Sequence, residues 1–357
     1  MLICLCKFMA SVAGRLLALR LSLRLCLTAV GKTLIFKGGS RATGRLALLH
    51  SLRVWAVAAV AGALALAVAG CDGTNASAAN GSGVIDAIGA ENEYANVLSQ
   101  IGGKYVHVSA ILDNPNTDPH SFEASPQVAR EVGFAQLIVQ NGVGYDSWIN
   151  NIESAAPNPS RKVIVVQNLL RLPDNTPNPH LWYDPKTMPA AARAMTADLA
   201  EIAPAHTAYF QANLRKFDAS LAPWRDAIAQ FKAAHSGVKA ATTEPVADYL
   251  LTAMGINNVT PFTFQADIMN GVDPSPEDIA LENSFFSQHK VALFAYNQQV
   301  IDGLTASIRQ NALRDGVPVV GVYETMPTPG YDYQSWMLAE VHAIAKAVTS
   351  KASTQKL

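Results

Sequence analysis

An α/β protein of two lobes, each with a central and mostly parallel sheet flanked by helices, follows from three features of the sequence. Short apolar runs alternate with amphipathic stretches along most of the chain, the pattern of strands that cross over through helices. That rhythm is interrupted once, from 189 to about 234, where Ala-rich sequence with apolar residues at helical spacing holds no strand signal. No cysteine follows Cys71. The lobes therefore contain neither disulfides nor thiolate metal sites, and a metal site there must be built from His, Asp and Glu.

Strands are expected at 106–111, 137–140 and 163–166 in the first half, and at 239–242, 292–295 and 317–322 in the second. Helices are expected between them, at 91–101, 126–132 and 245–254. Within the strand-free stretch Pro204 is tolerable at a first helical turn, and the helix it opens runs to about 231. A helix of thirty residues would reach roughly 45 Å, long enough to act as a rigid spine between lobes. The resulting organisation is an N-terminal lobe over 84–203, a single linking helix over 204–232 and a C-terminal lobe over 233–350. Gly102-Gly103 reads as a helix C-cap before the next strand, not as a phosphate loop.

The first 71 of the 357 residues stand apart. They hold no Asp or Glu and nine Lys or Arg, and an uncharged apolar run over 54–69 leads to Val68-Ala69-Gly70-Cys71. A basic flank, an apolar core and small residues before a cleavage point describe an export signal. The run is short for a membrane span of roughly 20 residues, although an uncleaved anchor is the alternative. Small residues directly before a cysteine resemble a bacterial lipobox, which would make Cys71 the lipidated first residue of the mature chain. Either way the remainder lies outside the cytoplasm. The leader exceeds what export needs, so 1–44 reads as a start assigned too far upstream. Residues 72–83 form a flexible tether.

Without the nine leader bases, 18 basic residues face 28 acidic ones, a net of −10. An acidic exported domain is a poor nucleic-acid binder and mildly favours cationic ligands.

Two loops carry the chemistry. Asp118-Pro119-His120 follows one turn-rich stretch and Asn178-Pro179-His180 another, each with an aromatic residue two positions on, Phe122 and Trp182. Proline restricts its own backbone and that of its predecessor, so both imidazoles sit on stiffened loops. A single such histidine is more often an ordinary surface residue; the matched pair points to a ligand site. The remaining histidines of the body, His107, His206, His235, His289 and His342, have no partner at metal-site spacing.

The stretch 83–351 resembles the metal-binding lipoproteins of bacterial ABC importers for zinc and manganese, the cluster A-I solute-binding proteins. The resemblance rests on Asp118-Pro119-His120-Ser121-Phe122-Glu123-Ala124-Ser125-Pro126, on Asn141-Gly142-Val143-Gly144-Tyr145-Asp146-Ser147-Trp148 and on Asn178-Pro179-His180-Leu181-Trp182-Tyr183-Asp184-Pro185. It implies two lobes joined by a long rigid helix, with one divalent metal held in the interlobe cleft by four side chains, two from each lobe. His120 and His180 match the first two ligands. The third, His or Glu in the family, falls on Glu244 in Thr242-Thr243-Glu244-Pro245. The fourth, usually Asp, falls on Glu324 in Val322-Tyr323-Glu324-Thr325, one methylene longer. A helix-start carboxylate and a turn carboxylate are the plain readings of these two, and Asp248, Asp267 and Asp273 are nearby spares. A departure stands at Ala295-Tyr296-Asn297-Gln298, where the family often has an acidic residue.

The resemblance further implies a monomer that captures Mn²⁺ or Zn²⁺ and passes it to the permease of an ABC importer with its ATPase, lipid-anchored in the periplasm or on the outer face. Two carboxylates, either able to bind through both oxygens, and the absence of histidine between His120 and His180 lean towards manganese. A zinc hydrolase on the same residues is the enzymatic alternative, but catalytic zinc keeps an open position, and HExxH and Gly-x-Ser-x-Gly are missing. An adhesin with a structural metal is the other.

Overall fold

Two four-stranded parallel sheets carry the fold in a computed structural model that describes residues 83–116 and 118–357. The leader, the apolar run at 54–69, Cys71 and most of the tether lie outside the described residues. The first sheet has the order β2-β1-β3-β4, with β1 Ile85–Glu91, β2 Val106–Leu112, β3 Leu137–Gln140 and β4 Lys162–Val165. The second repeats the plan as β6-β5-β7-β8, with β5 Lys239–Thr242, β6 Asn257–Asn258, β7 Leu293–Asn297 and β8 Val319–Val322. In both sheets the order reverses beside the first strand. Crevices at the carboxyl ends of strands form at such switch points, and all the candidate ligands follow strand ends.

The six expected strands are present within a residue or two. Two more were not expected. β1 is buried along almost its whole length, so it lacks the in–out alternation that marks a half-buried strand. It also runs without a loop into the next helix. Gly89 permits that turn, because a Cβ there would lie 2.3 Å from the backbone nitrogen of Ala95. β6 is only two residues long, below any pattern.

Helices α1 Asn92–Gly102, α2 Pro126–Phe134, α3 Ser147–Ala155, α4 Val166–Leu169 and α5 Thr187–Ile202 complete the first lobe. The second lobe adds α8 Asp248–Ala253, α9 Phe262–Met269, α10 Pro276–Ser287, α11 Gly303–Arg314 and α12 Tyr333–Ser350. Between them the linking element is a 3-10 turn, Pro204–His206, followed by α6 Thr207–Ser220 and α7 Ala222–His235. The single helix expected over 204–232 is thus divided at Leu221. Pro223 sits in the first turn of α7, where its missing N–H ends one hydrogen-bond ladder and its fixed φ starts the next. Each half serves one lobe: α6 packs on α1 and α5, and α7 packs on α12.

One apolar core runs through both lobes. Trp182 and Tyr183 from the first lobe, Trp224 from α7, and Tyr333 and Trp336 from the second are all fully buried. Tyr333 meets Trp224 edge-on at 5.9 Å between ring centroids and Trp336 meets Tyr183 at 5.6 Å. Among the described residues no helix is long and apolar enough to cross a membrane.

Candidate metal centre

Four loops bring polar side chains to the carboxyl ends of the two sheets. The first follows β2. There the Asp118 carboxylate accepts the His120 N–H at 2.8 Å and Pro119 fixes the next φ, so the imidazole is placed by a short, stiff turn. The second follows β3. Gly142, Val143 and Gly144 all have positive φ, at 84°, 55° and 78°. The Asp146 carboxylate accepts from the N–H groups of Asn141 and Gly142, and the Gln167 amide oxygen accepts from Val143 N–H at 2.7 Å. This pinned loop turns the Tyr145 ring against both histidines, 5.4 Å from His120 and 5.9 Å from His180.

The third loop carries His180. Asn178 Oδ1 accepts from the His180 backbone N–H at 3.0 Å and faces its Nδ1 at 2.8 Å. Asn178 Oδ1 can only accept, so Nδ1 carries a proton, and in the neutral ring Nε2 presents a lone pair. The fourth follows β8 and delivers Glu324, whose Oε2 stands 3.1 Å from Nε2 of His120 and 3.2 Å from Nε2 of His180. Tyr145 donates its hydroxyl to the same oxygen at 3.0 Å.

His120, His180 and Glu324 form the metal-competent group among the described residues, with ligand atoms mutually within 4.8 Å. Donors around a tetrahedral ion bonded at 2.0–2.2 Å stand roughly 3.3–3.6 Å apart, close to the spacing of Glu324 Oε2 from the two imidazole nitrogens. The side chains of His180 and Glu324 are 0% exposed, whereas that of His120 is 25% exposed, so the group is open on the His120 side. A cavity of about 230 Å³ is lined by the end of β2 and by Asp118, Pro119, Phe122 and Thr325, chain neighbours of His120 and Glu324.

Glu244 stands outside that tight group but shares a partner with it. Asn297 Nδ2 donates to Glu244 Oε1 at 2.9 Å and to Glu324 Oε1 at 2.8 Å. Glu244 Oε2 is buried without a hydrogen-bond partner, a costly state for an oxygen unless a proton or cation joins it. Of the spares, Asp248 is engaged by Asn258 and Gln265, and neither Asp267 nor Asp273 joins the metal-competent group. The other described histidines also stay apart from it; His107 faces Asp86 and His206 stacks on Tyr105.

The electrostatics follow from burial and from one shared charge. Burial would raise the Glu324 carboxyl, but the two imidazoles outweigh it and hold it well below the usual range. Burial disfavours the charged form of both histidines. Beside Glu324 the half-open His120 is nonetheless raised, while the enclosed His180 is lowered. Glu244 is raised well above its ordinary value by burial and then by the neighbouring Glu324 charge. Three residues that contact the candidate ligands had no individual signal in the sequence: Tyr145, Asn178 and Asn297. The first two lie inside recognisable strings, and Asn297 showed only as a departure.

Paired α/β lobes, a bridging helical element and a His–His–Glu group at the strand ends, enclosed except on the His120 side, define the class of two-lobed solute-binding proteins for metal cations. The chain belongs to the ZnuA family, the periplasmic component A of the zinc-uptake complex, whose model matches residues 90–347. It is thus an exported metal-binding protein of an import system, in a family of transport components and not of enzymes. A metal-binding protein of Treponema pallidum (strain Nichols) is 25% identical over 254 residues, which cover 66% of this chain and 78% of that one. The crystal structure of ZnuA superposes with a TM-score of 0.61 at 21% identity, covering 74% of this chain and all of that one. The periplasmic zinc-binding protein TroA of Treponema pallidum gives 0.61 at 19% identity over 76% of this chain. At these identities the two structures establish the fold.

Proposed function

We propose that His120, His180, Glu324 and Glu244 hold one divalent transition metal, Zn²⁺ or Mn²⁺, as cargo for the permease of an ABC importer with its ATPase. One observation carries this reading. With Nδ1 protonated towards Asn178, His180 directs a bare nitrogen lone pair at a carboxylate oxygen 3.2 Å away. Two acceptors at that distance repel unless a proton or a metal cation lies between them. Glu244, with its unpartnered Oε2, is the fourth donor in this reading.

Relatives of the same fold support a divalent transition metal as the cargo. FpvC of Pseudomonas aeruginosa is known with Ni²⁺ and with Mn²⁺, and the periplasmic metal-binding protein of Candidatus Liberibacter asiaticus with Cd and, as a serine-to-alanine mutant, with Mn. Four protein ligands leave no open position for a metal-bound nucleophile, which favours carriage over catalysis. Export through the basic leader and lipid attachment at Cys71 would hold the monomeric carrier at the membrane beside its permease.

Elemental analysis of the purified protein tests the proposal. One metal per chain is expected, with loss in His120→Ala and in Glu324→Ala. Absence of bound metal, or full loading of both variants, would overturn it. Incorporation of labelled palmitate into the wild type, abolished in Cys71→Ala, is the expected result for the anchor.

A further inference from the structure

Asn297 closes β7 and is fixed on every side. Its backbone N–H donates to Thr243 Oγ1 at 3.0 Å, and its side-chain Oδ1 accepts the Gln299 N–H at 3.0 Å. The second contact decides the amide's orientation, since a donor on one side and carboxylates on the other leave a single arrangement. Both hydrogens of Nδ2 then point at carboxylates, one at Glu244 Oε1 and one at Glu324 Oε1. The residue is 1% exposed, so water does not compete for these bonds. The backbone that carries Glu324 is held beside this amide. The Glu324 N–H and that of Thr325 are both held by the Gln299 amide oxygen, at 2.7 and 2.8 Å.

Each carboxylate is left with one oxygen free of the amide. For Glu324 this is Oε2, already facing both imidazoles. For Glu244 it is the buried and unpartnered Oε2. The donor set presented is therefore two nitrogens and two single oxygens. Zn²⁺ accepts four donors of this kind, whereas Mn²⁺ favours more numerous oxygen ligands, which carboxylates provide by binding through both oxygens. An amide bonded to the second oxygen of two carboxylates at once competes with a metal for that supply. The sequence leaned towards manganese on the two-oxygen capacity of both glutamates and on the absence of histidine between His120 and His180; this geometry turns the first ground towards zinc.

We propose that Asn297 is a specificity-determining positioning residue, restricting Glu244 and Glu324 to one-oxygen coordination and so biasing the site towards four-coordinate Zn²⁺ over Mn²⁺. The inference rests on the metal-ligand reading above. Competitive Zn²⁺/Mn²⁺ titration of the wild type and of Asn297→Ala tests it. The variant is expected to lose at least tenfold in its Zn²⁺:Mn²⁺ affinity ratio, within the 10–100-fold range of changes around a ligand shell. Equal weakening for both metals would mean that Asn297 acts only on structure, and would overturn the proposal. X-ray absorption of the Zn²⁺-loaded wild type gives a reading independent of the variant's folding. Four N/O ligands at single distances are expected, and a carboxylate bound through two oxygens would overturn the proposal. Failure of the parent reading looks different, because the wild type would then bind neither metal stoichiometrically.

Discussion

The Asn92 side chain and the Met326 backbone bind each other twice, the amide donating to the Met326 carbonyl at 2.9 Å and accepting its N–H at 2.9 Å. Asn92 begins α1 in the first lobe, and Met326 lies two residues beyond Glu324 in the second. The pair therefore fixes the loop that carries a candidate ligand to the opposite lobe. Asn92→Ala leaves two buried backbone groups unpaired, at a cost of about 1–3 kcal/mol. Urea unfolding is expected to show that loss, and metal release to a chelator is expected to be faster than in the wild type. An unchanged release rate would show that the clamp serves stability alone.

Asn178 performs a comparable task for His180. It accepts from the imidazole Nδ1–H, and its own Nδ2 donates to the Pro245 carbonyl at 2.7 Å, next to Glu244. One side chain thus sets the tautomer of one ligand and the position of the segment bearing another. Asn178→Ala is expected to weaken metal binding about 10–100-fold, the range found for partners that orient metal-bound histidines. Titration against a chelating dye measures it directly.

The lobes were readable in the sequence because six of the eight strands are short apolar runs between turn residues. β1 was hidden by its own burial, and β6 by its length. The linking element was readable as helix, and the local signal for its break at Leu221 is Pro223 inside an otherwise continuous helical pattern. The site divided similarly. His120 and His180 were visible through the repeated Pro-His context, but a carboxylate's role depends on where a distant loop places it. Glu324 entered the tight group, while Glu244 remained one hydrogen-bonded partner away through Asn297. Asn297 and Tyr145 act through contacts 27 and 179 residues distant in the chain, and local pattern does not encode such contacts.

Removal of the metal should be visible as a loss of stability. A ligand bound only by the folded state adds about 2.7 kcal/mol at one hundred times its dissociation constant. For a domain of this size that corresponds to roughly 5–10 °C in Tm. Calorimetry with and without a strong chelator is expected to show a shift of this order in the wild type and almost none in His180→Ala. Equal shifts in both proteins would place the stabilising ion elsewhere.

Buried acids away from the centre give the protein a pH dependence of opposite sign to ordinary acid denaturation. Glu340 is pushed up to about 8 from an ordinary 4.5 by burial, against the hydrogen bonds from Trp336 and Tyr183 to its Oε1. Its Oε2 has no partner. Burial raises Glu282, near Thr260, to about 8 as well. Between about pH 4.5 and 8 the folded chain therefore binds more protons at these sites than the unfolded chain. Stability from them is fully present below the unfolded value and is lost as pH rises through the folded one. Unfolding free energies measured from pH 5 to pH 8 should accordingly fall with rising pH to the extent these groups dominate, and Glu340→Gln should make the slope shallower. It should not become flat, because Glu282 remains and because burial also raises Glu91 and Glu93. An identical slope in the variant would show that Glu340 is ionised in the folded protein.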